Sequence, residues 1–367
     1  MAVEKITIER FLELAKTNPV LDARSPAEYA HAHIPGAYSL PLFTDEERKI
    51  VGTAYKQQSR ELAIKIGLDY FGLKMRKMVE DVEAIVASIK PSKNNDKCVL
   101  IHCWRGGMRS AGVAWLLDLY GFKVYSLAGG YKVYREWARM QFETDHHFTI
   151  IGGYTGSGKT LIIKDLKRLG RAVIDLEGLA NHKGSAFGAL GENVQPAQEM
   201  FENLLATELF KIHQQQFASS NEVTPQNFAH TIYLEDESQR IGLINLPTPF
   251  WNNMRKSVVC FVDIPFEERL NYLTTEYGKF EKEKLINAIV RIQKRLGGLE
   301  TKTAVNYLLE NNHKESFRVL LRYYDKCYAK SLLNREDLPS LVNKMAFESV
   351  DVKTISNTLM NGTFNVT

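Results

Sequence analysis

The chain is poor in cysteine: Cys98, Cys103, Cys260 and Cys327 are four in 367 residues, with no CxxC pair and no Cys/His spacing of the zinc type. Neither a disulfide framework nor a structural metal site is indicated by that pattern, which points to a reducing compartment. No apolar run approaches the roughly 18 residues that span a bilayer. Met1 to Thr17 alternates charged and apolar residues instead of setting a basic start before an apolar core, so neither anchor nor export signal is expected. The expectation is a cytoplasmic protein without membrane contact. With Gly 24 and Pro 11 the chain is too poor in both for a low-complexity or collagenous protein, and it contains no internal repeat.

What is present is ordinary globular composition, 44% hydrophobic and 25% charged, at a length that suits two domains better than one. Short β-branched runs alternate with longer helical stretches: Val20–Ala23, Val99–His102, Lys123–Leu127, Thr149–Gly152, Ala172–Asp175, Thr231–Leu234 and Val258–Ile264. This alternation predicts an α/β fold in both halves. The polar stretch Gln141–His147 marks the boundary, giving one domain over 1–140 and a second α/β core over 146–265. After Pro265 strand signals cease, and 266–353 reads as a helical extension with helices over Glu267–Tyr277, Lys282–Leu296, Ala304–Asn311 and Glu315–Leu332. The tail 354–367 is polar enough to fray.

The net charge of +4 conceals a division: +5 over residues 1–140, −5 over 141–250 and +4 over 251–340. Two basic blocks flanking an acidic one would suit a polyanion touching both.

The first chemical signal is Cys103-Trp-Arg105-Gly-Gly-Met-Arg109-Ser110, at the end of the apolar run beginning at Val99 and before the helix Ala111–Leu119. Loop N–H groups, a helix N-terminus, Arg105 and Arg109 together favour an anionic sulfur or a bound oxyanion. Cys-x5-Arg-Ser is also the pattern of cysteine-dependent phosphatases, so this loop alone leaves both chemistries open. His102 lies on the strand, its side chain opposite its neighbour's, and is not assigned as a base. Asp22, Arg24 and Glu28 read as loop-fixing residues. Between Phe43 and Val79 runs a polar, basic insertion, a solvated surface helix by default.

The second signal is Gly153-Tyr-Thr-Gly156-Ser157-Gly158-Lys159-Thr160, a G-x-x-x-x-G-K-[ST] loop between a strand and the amphipathic helix Leu161–Leu169. Its glycines let backbone N–H groups reach phosphate oxygens, Lys159 bridges the outer phosphates, and Thr160 can hold magnesium. Partners are expected at the ends of neighbouring parallel strands, which nominates Asp175, Glu235, Asp236, Glu237 and Arg240. Helix capping by Asp236 or Glu237 competes with a metal role, and no dedicated metal site is assigned. Arg291, Lys294 and Arg295, at i, i+3 and i+4 of one expected helix, form a basic face. With Arg48, Lys49 and Lys56 they are the leading contacts for a nucleic-acid backbone.

Val20-Leu-Asp22-Ala-Arg24-Ser-Pro26, His33-Ile-Pro-Gly36, the Cys103 loop and Leu127-Ala-Gly129-Gly130-Tyr131 together resemble the rhodanese family over about 1–140. That domain, fused to a Walker-type loop and carrying Val-Gly-Thr-Ala-Tyr-Lys-Gln from Val51 and His-Lys-Gly-Ser-Ala-Phe-Gly from His182, resembles the bacterial tRNA 2-selenouridine synthase family over nearly the whole chain. The resemblance implies a rhodanese-like domain followed by a P-loop NTPase-like domain. It implies a transferase that replaces sulfur by selenium in wobble 2-thiouridine of tRNA. Selenophosphate would be the donor, supplied by a partner enzyme, and geranyl diphosphate would form an S-geranylated intermediate. Cys103 would either carry selenium or assist loss of the geranyl thiol. A P-loop kinase or nucleotide-dependent sulfurtransferase with a rhodanese-like module is the alternative reading.

Overall fold

The computed structural model describes residues 3–89, 97–219, 231–335 and 338–361. The chain divides into two compact units, Met1–Gln141 and Phe142–Thr367. In the first unit the strands are β1 (Glu4–Ile6), β2 (Val20–Asp22), β3 (Tyr38–Ser39), β4 (Cys98–His102) and β5 (Lys123–Leu127). They form one parallel sheet in the order β1-β5-β4-β2-β3. All five residues of the central β4 are buried, as expected of a parallel strand covered on both faces, and its continuous apolar run follows from that burial.

The insertion forms two helices, Asp45–Gln57 and Arg60–Ser88. The first starts in a Thr44/Glu47 capping box and the second on the Ser59 hydroxyl. Ala63, Gly67, Phe71, Met78 and Val82 recur at helical spacing on the second and are buried there, Phe71, Met78 and Val82 within the core that includes Val99, Ile101 and Val113. Beside the helix pair runs an open groove of about 450 Å³ lined by residues including Lys49, Ile50 and Ile66.

In the second unit β6 (Phe148–Gly152), β7 (Ile232–Glu235), β10 (Val258–Asp263) and β11 (Val342–Ala346) form a parallel sheet in the order β11-β10-β6-β7. Between them β8 (Arg240–Ile241) and β9 (Ile244–Asn245) make a small antiparallel hairpin. The strand expected over Ala172–Asp175 shrinks to a single bridge, Val173 with Tyr233, because the Leu176–Ala180 helix, capped by Asp175, starts at once.

Three differences from the sequence-based expectation lie in the last third of the chain. The helices of segment 266–353 are followed by β11, a short edge strand whose half-exposed residues include Asn343 and Lys344 and carry little strand signal. Lys344 on this edge pairs with Asp263 at 2.9 Å. The stretch expected to fray begins inside a helix, Val352–Asn361. There Ile355 and Leu359, four apart, are buried among Ile162, Ile163 and Leu166. The helix expected over Lys282–Leu296 is interrupted at Ile292, leaving Lys282–Arg291 and Gln293–Leu296.

Leu359→Ala is therefore expected to destabilise the second unit by about 2–5 kcal/mol. Urea unfolding of the full chain checks this, and a change within about 0.5 kcal/mol would mean that the terminal helix does not contribute to the core.

Candidate active site

The Cys103 loop is built by backbone crowding. Residues 103–107 leave β4 and enter the helix Met108–Tyr120, while the turn at Gly129 and Gly130 lies beneath them. Tyr131 N donates to the Cys103 carbonyl at 2.8 Å and Lys132 N to the Trp104 carbonyl at 3.0 Å. Gly130, at φ +63°, could carry no Cβ without striking the Cys103 oxygen and Gly106 N. Cys103 is 3% exposed, and its Sγ accepts from Gly107 N at 3.3 Å and from Ser110 Oγ at 3.2 Å. The sulfur thus sits in a cradle of donors, of which only Ser110 is a side chain.

The arginines separate. Arg105 is exposed, with no ion pair among the described residues. Arg109 Nη1 donates to Glu28 Oε2 at 2.7 Å, and Arg48 pairs with the same oxygen at 3.0 Å. Burial pushes the Glu28 carboxyl up, but Arg109, Ser25 N–H and Arg48 outweigh it and bring it below the usual carboxylate range. Glu28 therefore tethers Arg109 at the loop and draws Arg48, nominated for nucleic acid, to the same place. Behind the loop, Arg24 is buried on Asp22 at 2.6 Å with its guanidinium 3.8 Å from the Tyr131 ring centroid, fixing structure as its residue type suggested. Lys49 and Lys56 are exposed on the Asp45–Gln57 helix.

The phosphate loop follows β6 and leads into the helix Lys159–Arg168. Gly156 and Gly158 take φ of +84° and +81°. Lys159 Nζ folds back onto the Gly153 carbonyl at 2.8 Å. Thr160 Oγ1 donates to Glu177 Oε2 at 2.5 Å, and Glu177 N donates to Glu235 Oε1 at 2.9 Å. Glu235 is fully buried and its second oxygen has no partner among the described residues; neither has the Ser157 hydroxyl inside the loop. Burial first, then the charges of Asp175 and Glu177, hold the Glu235 carboxyl well above its ordinary range. Glu237 is raised too, by burial and then Glu177, with Lys159 opposing.

Of the nominated partners, Glu235 and Glu237 lie in this carboxylate cluster. Asp175 borders it, its oxygen occupied as the cap that accepts from Gly178 N at 2.7 Å. Asp236 is neither a cap nor free for a metal. It accepts from Tyr328 Oη at 2.7 Å and from Arg335 Nη2 at 2.5 Å. Arg240 is held in the β8–β9 hairpin, donating to the Gly242 carbonyl at 2.9 Å, because the chain turns back on itself there. Arg291, Lys294 and Arg295 are all exposed, but the break at Ile292 divides their helix, so periodicity does not put them on one face. The charge of Arg291 reaches His182, whose pKa is lowered chiefly by burial.

Four residues here escaped the sequence reading. Tyr328 accepts from Gly153 N at 3.0 Å, linking the loop to Asp236. Arg269, 3% exposed, binds Asp325 through both nitrogens at 2.8 Å and donates to the Thr155 carbonyl at 3.0 Å, pinning the loop's apex. Tyr328, Arg335 and Asp325 carry no local signal; only Arg269, an arginine on the buried face of an amphipathic helix, was conspicuous. Beside Thr155 opens a cleft of about 30 Å³ walled mostly by apolar and aromatic side chains, Phe187, Leu273, Tyr277, Phe317, Leu320 and Tyr324, with Ser185 also lining it.

A family model described as the tRNA 2-selenouridine synthase AAA domain matches residues 146–351, and a rhodanese-like domain matches 7–136. The tRNA 2-selenouridine synthase of Nitrosomonas europaea is 31% identical over 88% of this chain and 91% of that protein. The chain belongs to the tRNA 2-selenouridine synthase family. Those of Bdellovibrio bacteriovorus and Shewanella halifaxensis are each 32% identical, over 91% and 92% of this chain and 94% and 95% of those proteins. Family membership fixes the architecture: a rhodanese-like unit carrying Cys103 and a P-loop AAA unit carrying Lys159. No helix among the described residues is long and apolar enough to cross a membrane.

His102, directly before the thiol, is fully buried near Asp22, and both ring nitrogens lack hydrogen-bond partners. Burial, only partly opposed by Asp22, drops its pKa to about 4 from 6.5. A folded pKa below the unfolded one gives stability that is complete above pH 6.5 and is lost as pH falls toward 4. The loss is up to about 3 kcal/mol, and His102→Gln should abolish this part of the pH dependence. Urea titrations at pH 7.5 and 5 read it from tryptophan emission, since Trp104, Trp115 and Trp137 all lie in the first unit.

Proposed function

We propose that this member of the tRNA 2-selenouridine synthase family exchanges sulfur for selenium in wobble 2-thiouridine, from selenophosphate, through an S-geranylated intermediate made with geranyl diphosphate. The observation that carries the prenyl step is the pairing of a phosphate loop with an aromatic, apolar cleft at Thr155. A nucleotide would call for more polar groups than Ser185 and the tyrosine hydroxyls to read its base, whereas a prenyl diphosphate needs an anion site continuous with a greasy one. The cleft is narrower than a ten-carbon chain, so Leu273, Phe317 and Leu320 must part to admit it.

The donor set around Thr160 fits magnesium. Thr160 and Glu177 are hard oxygen ligands, already touching, and Glu235 offers an unpartnered buried oxygen. An ion there would be completed by diphosphate oxygens and water. Bound there, magnesium would neutralise charge on the departing diphosphate. Lys159, now on the Gly153 carbonyl, would turn to the same oxygens.

Geranylation converts a poor leaving group into one that departs as a thiol. In the second step the selenium–C2 bond forms and the C2–sulfur bond breaks; the sulfur takes a proton, and water cleaves the Se–P bond to give phosphate. Selenium in selenophosphate is already at the selenide level. Placing it on Cys103 as a perselenide would need a two-electron oxidant, so electron balance favours the other role. On this reading Arg105 and the loop N–H groups hold the phosphoryl end, whose negative charge favours the protonated thiol, and Cys103 protonates the leaving sulfur.

Cys103→Ser should accumulate geranylated tRNA without selenouridine, a loss of selenation of roughly 100-fold or more if the thiol is the acid. Lys159→Ala should instead stop geranylation. Nucleoside analysis of tRNA from cells expressing each variant separates the two, and undiminished selenouridine in Cys103→Ser or normal geranylation in Lys159→Ala would overturn the respective assignment.

A further inference from the structure

The residue next to the thiol is an indole held at the surface. Trp104 is 36% exposed, whereas Cys103 and His102 before it are buried. Trp115 is more exposed still, at 52%, so what sets Trp104 apart is its place immediately beside the sulfur and the way it is held there. Its backbone carbonyl accepts from Lys132 N at 3.0 Å, and the preceding carbonyl accepts from Tyr131 N at 2.8 Å, so the residue is fixed at both ends of its peptide. Its ring packs on Tyr131 with centroids 5.6 Å apart, and the Arg24 guanidinium lies 6.0 Å from its centroid. Behind it the stack continues through Tyr131–Tyr134 at 5.9 Å and Tyr134–Trp137 at 5.4 Å. Arg24 is locked by Asp22, so the support does not yield. The result is a rigid aromatic shelf, buttressed from inside and open outside, flanked by exposed Arg105 and exposed Met108.

We infer that Trp104 is the platform on which the target nucleobase of the tRNA stacks, presenting its C2 substituent to Cys103. This rests on the reading that Cys103 acts on the base. Every base has a π-face, and an indole fixed beforehand holds one without the entropy loss that a mobile side chain would incur. A base in a stacked anticodon is not accessible edge-on to a sulfur buried in a loop; splayed out, it can be caught by an exposed ring and carried to that loop. A docking partner protein that delivers selenium is the competing occupant of the same shelf.

The test uses the full chain with an anticodon stem-loop RNA carrying 5-iodouridine at the wobble position. Irradiation should give a crosslink that mass spectrometry maps to Trp104, lost in Trp104→Phe through altered reach or in Trp104→Ala outright. With geranylated stem-loop and free selenophosphate, Trp104→Ala should raise KM for the RNA by roughly ten-fold or more, with a smaller effect on kcat, and Trp104→Phe should recover most of it. A crosslink mapping elsewhere, or an unchanged KM in Trp104→Ala, overturns the platform. A defect seen only when selenophosphate comes from its supplying enzyme, and absent with the free compound, assigns the shelf to that protein instead and likewise overturns it. Cys103→Ser run in parallel separates the two ideas. If it keeps full selenation the reading of the thiol fails, whereas loss there with normal Trp104→Ala kinetics sinks the platform alone.

Discussion

Both reactive loops depend on backbone approaching backbone where no side chain would fit. At the thiol loop Gly130 lies against the Cys103 carbonyl, and Gly106, at φ +62°, lies against the Leu127 carbonyl. At the phosphate loop Gly153 faces the Val262 carbonyl and Gly156 the Arg269 carbonyl. In each case a buried parallel strand ends, the chain turns through left-handed glycines, and a helix begins with its N–H groups facing the turn. Anion binding and the absence of a Cβ are one requirement here. The conformation that points successive N–H groups inward also presses the loop onto its neighbour.

This is why the loops were legible in the sequence and much around them was not. Cys103, Arg105, Arg109 and the stretch Gly153–Thr160 are local patterns, set by the residues adjacent in the chain. Strands such as β4 and β6 announce themselves by unbroken apolar runs because both faces are buried. The edge strand β11 does not, since its outer residues are exposed and include Lys344. The partners of the phosphate loop were half legible. The acidic ends of strands pointed to Glu235 and Glu237, but period-two alternation cannot tell which carboxylate at a strand end meets a distant tyrosine. Asp236 is taken by Tyr328 and Arg335, residues supplied by the long C-terminal helix and its exit, and nothing near Asp236 foretells them. The basic face expected of Arg291, Lys294 and Arg295 loses its warrant for a different reason. Periodicity presumes an unbroken helix, and Ile292 interrupts it.

The charges that were expected to face a polyanion are partly committed inside the protein. Arg48 and Arg109 share Glu28, so the thiol loop's positive charge is organised by one carboxylate before any substrate arrives. A guanidinium so held loses little freedom when an oxyanion binds, and the depressed Glu28 carboxyl stays ionised to keep it there. Arg105 has no such anchor and is the one that can move with a ligand. The pair therefore divides the work between a fixed and a mobile cation.

The second unit treats its buried ion pairs in the same manner. Arg269 with Asp325 and Arg335 with Asp236 take charges out of water, which costs several kcal/mol per ion and returns little net stability. Their value is positional. Arg269 ties Thr155 at the loop's apex to the helix carrying Asp325, and Asp236 ties the end of β7 through Tyr328 to Gly153 at the loop's start. Apolar residues of similar volume could fill these spaces, but they would let the loop shift against the C-terminal helices that wall the aromatic cleft. The same His313–Leu333 helix contributes Phe317 and Leu320 to the cleft and Asp325 and Tyr328 to the loop. Its placement therefore couples the anion site to the apolar site, and the buried Arg269–Asp325 pair holds it there together with the packing of Phe317, Leu320 and Leu321.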